Sequence, residues 1–173
     1  MKRIKSIALF IFIAILALVM YYFFPTETLP STTKIDSLIV YKAERKMEAY
    51  SNGKIIKIYA ISLGKQPIGT KEFQGDNKTP EGIYYINDKN PNSVCYKNLG
   101  ISYPNEEDIA KAKKLGKPTG GDIKIHGMLN KKGWIGKFHR WVDWTNGCVA
   151  VTNSEMEELY NLVPIGTKIE IKP

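Results

Sequence analysis

From Ile7 to Phe24 the chain reads IALFIFIAILALVMYYFF, eighteen residues without a charge. A core helix of a small soluble domain keeps one polar face, whereas this run is apolar all round. At about 1.5 Å of rise per residue it nearly spans a hydrocarbon layer of roughly 30 Å. Lys2, Arg3 and Lys5 precede it, and basic residues on that side favour a cytoplasmic N-terminus with the rest of the chain outside the membrane. Tyr21 and Tyr22 suit the outer interface belt, and the following PTETLPSTT offers no small-x-small cleavage signal. The expected organisation is a cytoplasmic end at 1–6, an uncleaved transmembrane anchor at 7–24 in preference to a removed signal peptide, an extended Pro-, Thr- and Ser-rich linker at 25–34, and one folded domain at 35–173.

The roughly 150 residues after the anchor suffice for one domain with a real core. Three of the basic residues behind the formal charge of +8 lie before the apolar run. The other lysines and arginines are scattered, so a nucleic-acid-binding patch is not expected, whereas weak attraction to anionic polymers is. Two cysteines, Cys95 and Cys148, make no disulfide framework. A single bridge between them is the alternative to a free Cys148.

Residues 37–42 (SLIVYK) and 46–51 (KMEAYS) read as strands, and Asn52-Gly53 is a two-residue hairpin turn into a third strand at 54–62. Turn chemistry dominates from Gly64 to Gly82, before a short strand at 83–87. Asn105 precedes EEDIAKAKKLG, with acids in the first turn and lysines in the last, which predicts a short helix. Thr152 and Glu155 have capping-box spacing, and Met156, Leu159, Tyr160 and Val163 then recur on one helical face. Strands at 122–125 and 167–171 complete a mostly β domain with two small helices and no βαβ alternation.

Both histidines and one cysteine fall within IHGMLNKKGWIGKFHRWVDWTNGCVAV, from 125 to 151. A thiol attacks carbonyls as thiolate, and a nearby imidazole lowers its pKa, so Cys-His chemistry would pair Cys148 with His126 or His139. Gly147, lacking Cβ, lets backbone N–H groups converge beside the sulfur as an oxyanion hole. The competing reading is a small buried cysteine opening the strand VAV. Zinc fits poorly: the gaps between Cys95, His126, His139 and Cys148 are thirty, twelve and eight residues, with no close ligand pair. No serine sits in a nucleophile elbow.

At IHG (125–127) and TNGCVAV (145–151) the sequence resembles the L,D-transpeptidase catalytic domain, also called the YkuD domain, and the likeness extends through GDNKTPEGIYYI, LGISYPN and VTNSEMEELYNLVPIGTKIEI. The resemblance implies a β-sandwich-like domain with one or two short helices. It implies Cys148 as nucleophile and His126 as proton acceptor and donor, with Gly147 and Cys148 N–H groups on the oxyanion. Thr145 would shape the turn or hold the histidine, and Gly127 would permit close approach beside His126. The implied reaction is acyl transfer on peptidoglycan stem peptides through a Cys148 thioester, resolved by an amine or by water, with no metal or organic cofactor.

Two positions depart from the family pattern, with Asn146 and Ala150 where many relatives carry His and Arg or Asn. Arg140 is a candidate replacement for the missing carboxylate anchor, or an ordinary solvated arginine. Trp134, Trp141 and Trp144 make either a lid over the substrate or a local packing cluster, and Asp143 either orients a histidine or lies on the loop surface. The expected enzyme is a membrane-anchored L,D-transpeptidase. A hydrolytic carboxypeptidase, an amidase releasing wall-linked protein, and an idle wall-binding module are the alternatives.

Overall fold

The computed structural model describes residues 2–173. Helix α1 (Lys2–Phe23) carries the apolar run, and its side chains are almost all exposed. The folded domain begins with β1 (Ser37–Tyr41), β2 (Lys46–Ser51) and β3 (Lys54–Ala60), the meander expected from the strand segments and the Asn52-Gly53 turn. At the β2–β3 turn Asn52 and Gly53 take φ of 50° and 73°, the paired left-handed conformation that a two-residue hairpin requires.

Strand β4 (Gly82–Ser93), β5 (Tyr96–Ile101), β6 (Lys124–His126), β7 (Val149–Ala150) and β8 (Lys168–Lys172) join them in one mixed sheet of order β3-β2-β1-β8-β4-β5-β6-β7. β1 lies antiparallel to β2 and parallel to β8, and β8 is antiparallel to the first part of β4. This register aligns Leu38 with Ala49 and Ile169, and Ile169 with Tyr84, all of them buried in one core. β4 then turns to β5, with register shifts after Ile86 and Asn90 that bend the ribbon. The sheet curls until its ends meet: Ser62, beyond β3, exchanges backbone hydrogen bonds of 3.0 and 2.8 Å with Ala150 of β7. Core residues from both halves therefore face each other across a single cluster, as in a sandwich.

Two α-helices stand where capping chemistry places them. In α2 (Glu106–Lys114), Asn105 and Asp108 form a reciprocal capping box, and in α3 (Asn153–Leu162), Thr152 and Glu155 form another. Four features depart from the sequence reading. The strand expected at 83–87 runs on to Ser93 and pairs with β5, which the polar run NDKNPNS conceals. The strand expected at 122–125 starts only at Lys124, because Asp122 adopts φ of 62°. Gly133–Trp141, read as a connection, forms 3-10 helical turns kinked at Gly136. Between α1 and the domain, Leu29 packs on the core and donates to Glu158 at 2.6 Å.

Candidate active site

Strands β6 and β7 are parallel neighbours, with Ile125 opposite Val149 and His126 opposite Ala150. Side chains alternate across a sheet, so Ile125 and Val149 point into the core. His126 and, two residues before Ala150, Cys148 are turned to the other side. Both line one cavity of about 900 Å³, together with Cys95, Trp144, Lys65 and Lys124. His139 does not line it.

The Thr145–Cys148 turn is held by one hydroxyl. Thr145 Oγ1 donates to the Cys148 carbonyl at 2.7 Å and accepts from the Gly147 N–H at 3.1 Å. The Gly147 N–H expected to face an oxyanion is thus engaged in closing the turn. Gly147 has φ of 131°, and a Cβ there would come within 2.6 Å of the Lys78 carbonyl oxygen, so no other residue fits without moving the loop. Gly127 is packed as tightly, with the Asn153 amide oxygen 2.7 Å from where its Cβ would stand. The same oxygen accepts from the Met128 N–H at 2.8 Å, tying the chain after β6 to α3.

His126 Nδ1 lies 2.7 Å from the Gly127 carbonyl. A carbonyl only accepts, so Nδ1 carries the proton and Nε2 is left as the basic nitrogen. The ring meets Trp144 edge-on at 5.5 Å between centroids. Burial holds the imidazole below its ordinary pKa, against the opposing hydrogen bond to Gly127. Burial also pushes the Cys148 thiol up to about 11, offset in part by a backbone hydrogen bond from Lys124. The sulfur sits 3.6 Å from the Asp122 carbonyl. The resting site is therefore a neutral thiol and a neutral imidazole. The sequence-based expectation of a thiol lowered by its histidine does not hold here, because desolvation penalises both charged forms at once.

His139 is buried on another set of contacts. Ser62 Oγ donates its one proton to the His139 carbonyl at 2.8 Å, so the 3.1 Å contact with His139 Nδ1 is an N–H donation to Ser62. His139 Nε2 has no partner among the described residues. Burial, then the charge of Arg140, depresses the ring to about 4. Arg140 neither faces the cavity nor lies free in solvent: its guanidinium binds the buried Glu155 at 2.7 Å. Asp143 orients no histidine but accepts from Arg45 at 2.7 to 3.2 Å and from the Leu63 N–H at 2.9 Å. Trp144 alone of the three tryptophans lines the cavity. Cys95 and Cys148 are both free thiols on its wall, and burial raises Cys95 too.

Three lysines border the cavity. Lys71 is paired with Asp76 at 2.8 Å and Lys124 with Asp122 at 2.6 Å. Lys65 meets only the neutral Asn146 amide oxygen, at 3.1 Å, and has no ion pair among the described residues. Its backbone is fastened to the nucleophile turn by the Lys65 N–H bond to the Thr145 carbonyl at 2.9 Å. Nothing in the sequence distinguished Lys65 from the other scattered lysines. Among the described residues no three His, Cys, Asp or Glu side chains gather in a metal-binding group.

Residues 36–171 match the family described as the L,D-transpeptidase catalytic domain, YkuD. The chain belongs to this family. Its relatives include "Putative L,D-transpeptidase YafK" of Escherichia coli (strain K12), 29% identical over 130 residues, which covers 72% of this chain and 45% of the relative. "Putative L,D-transpeptidase YqjB" of Bacillus subtilis (strain 168) is 28% identical over 137 residues, covering 78% of this chain and 69% of the relative. Among solved structures, the helical cell shape determining protein Pgp2 of Campylobacter jejuni superposes with a TM-score of 0.60 at 25% identity, covering 82% of this chain and 48% of that one. The chain thus spans less than half the length of the Escherichia coli and Campylobacter proteins. What is shared is the mixed sheet with few helices.

Proposed function

We propose that this protein is a membrane-anchored peptidoglycan L,D-transpeptidase acting through a Cys148 thioester. The observation that carries the reading is the placement of Cys148 and His126 on one side of adjacent strands at the wall of one cavity, with the histidine tautomer set so that Nε2 can take a proton. As the stem-peptide carbonyl enters, His126 Nε2 accepts the thiol proton and sulfur bonds to carbon. Collapse of the tetrahedral intermediate expels the amine of D-alanine, which leaves with the proton from the imidazolium. An amine of a second stem, deprotonated by the same imidazole, then attacks the thioester and releases the thiol.

Drying of the site by substrate suits a neutral resting pair, because charge is created only when the carbonyl is in place. The Lys65 ammonium beside the nucleophile turn, which has no ion pair among the described residues, offers a partner for a substrate carboxylate, the role that Arg140, bound to Glu155, does not fill. The α1 segment, a candidate membrane span by length and composition, would hold the domain on the outer face of the bacterial membrane.

Intact-mass measurement with a disaccharide-tetrapeptide tests the chemistry. The expected result is an adduct on Cys148 equal to the donor minus D-alanine, transfer to an added amine stem, and loss of both in Cys148→Ala. Product formed only with water would reassign the enzyme to hydrolysis. A folded protein that yields neither adduct nor product would refute the catalytic reading.

A further inference from the structure

Helix α1 does not stand apart from the domain. Tyr21 lies 5.8 Å from Phe138 and 6.0 Å from Trp141 between ring centroids, and Tyr22 stacks on Phe138 at 5.4 Å. The Tyr22 hydroxyl donates to the Trp134 carbonyl at 2.7 Å, and Lys137 Nζ reaches the carbonyls of Tyr21 and Phe24. An apolar groove of about 330 Å³ is walled on one side by Ile15, Leu18 and Val19 and on the other by Trp134 and Phe138. At 1.5 Å per residue, Ile15 lies roughly 12 Å along the helix from its C-terminal end. The direct contacts of the 3-10 segment are with Tyr21, Tyr22 and Phe24 at the end of the apolar run, and the groove opens from there toward its interior.

Contact with α1 leaves much of the 3-10 segment's apolar surface uncovered. Trp134, Trp141 and Val142 are 73, 62 and 65% exposed, an unusual cost for a surface facing water. Lys131 and Lys132 are exposed next to them, and Lys137 adds a third cation. Exposed tryptophans bordered by lysines have the composition of an element lying in a membrane interface, with aromatic rings at the headgroup level and ammonium groups on anionic lipid.

We infer that Gly133–Trp141 with Val142 is a membrane-docking element: it lies in the outer interface of an anionic bilayer and holds the catalytic domain against the membrane. The inference rests on α1 spanning the bilayer as proposed above. If Tyr21 to Phe24 end the span, whatever packs on Tyr21 and Tyr22 shares their depth. Because the segment lies between β6 and β7 in the chain, docking also fixes how far the His126–Cys148 cavity stands from the lipid surface. Trp144, on the cavity wall, lies outside the docked surface.

The full chain reconstituted in phosphatidylcholine–phosphatidylglycerol vesicles tests this, with lipids brominated near the headgroup as fluorescence quenchers. In single-tryptophan variants, Trp134 (W141F with W144F) and Trp141 (W134F with W144F) should lose most of their emission, and Trp144 (W134F with W141F) should keep most of its own. The unsubstituted chain should show partial quenching, which covers the case of a variant that fails to fold. Retention in the vesicles after alkaline washing, with no quenching in the unsubstituted chain or at Trp134 and Trp141, overturns the docking and leaves the anchor standing. Release of the chain by the alkaline wash overturns the anchor and the docking together. Neither result bears on the acyl-enzyme chemistry, which the mass measurement tests separately.

Discussion

His139 gives a quantitative test of the division between the two histidines. Burial and Arg140 depress its ring from an ordinary 6.5 to about 4 in the folded chain. Between those values the unfolded chain binds a proton that the folded chain refuses, so stability falls as pH drops through the window. At about 1.4 kcal/mol per pKa unit the whole interval is worth about 3 kcal/mol, of which about 2 kcal/mol is lost between pH 7 and pH 5. For a domain of this size that corresponds to a fall in Tm of about 4–8 °C. The assay is thermal unfolding followed by near-UV circular dichroism, in a detergent that keeps α1 dissolved, for the unsubstituted chain and for His139→Gln. Glutamine cannot be charged, so the variant should lack this part of the pH slope whatever its stability at pH 7. The remaining slope from His126, also depressed by burial, is common to both proteins and cancels in the comparison. Equal slopes would mean that His139 takes a proton in the folded state, and the burial argument would be wrong.

The other expectations concern the site. His126→Ala should slow acylation by about 10²–10⁴-fold, the usual loss of a general base, while the alkylation profile of Cys148 stays at high pH, because burial and not an imidazolium sets that thiol. A slow acylation produced by His139→Gln with His126→Ala unaffected would exchange their roles. Cys95→Ala should keep most of the activity that Cys148→Ala loses; equal loss in two folded variants would assign the pair a joint role. Gly147→Ala should cost about 1–3 kcal/mol in denaturant unfolding, from strain at a φ that L-residues avoid, and should abolish acylation, since the Lys78 carbonyl blocks the Cβ; unchanged stability would contradict the close approach.

Trp144 packs edge-on against His126, and burial favours the neutral form of both ionisable groups. The stretch from Met128 to Asn146 that puts Trp144 on the cavity wall also carries Trp134, Phe138 and Trp141, which lie against α1. Glu155 reinforces it from outside: it caps α3 through Thr152 and pairs with Arg140 at the end of the 3-10 turns. A capping-box glutamate thus also anchors the end of the 3-10 turns, which its local spacing could not reveal.

Several features were legible in the sequence because they are decided over a few residues. The uncharged run at Ile7–Phe24, the left-handed pair Asn52-Gly53, and the caps at Asn105 and Thr152 all depend on local sterics, hydrogen bonding or period. The motifs around His126 and Cys148 marked the family in the same way. Other features depend on partners distant in the chain. β1 sits between β2 and β8 because apolar faces 130 residues apart must meet in register. The polar strand ribbon at Gly82–Ile101 is held by pairing that its own residues do not advertise. Lys42 is buried because Glu81 and the carbonyls of Gly69 and Thr79 surround its ammonium, and a lysine pattern cannot show this. Tertiary packing alone put Cys95 on the cavity wall, left Lys65 without a counter-ion among the described residues, separated Trp144 from Trp134 and Trp141, and raised the Cys148 thiol. Burial and electrostatics are sums over the surrounding protein, whereas turns, caps and periodicity are properties of neighbours along the chain.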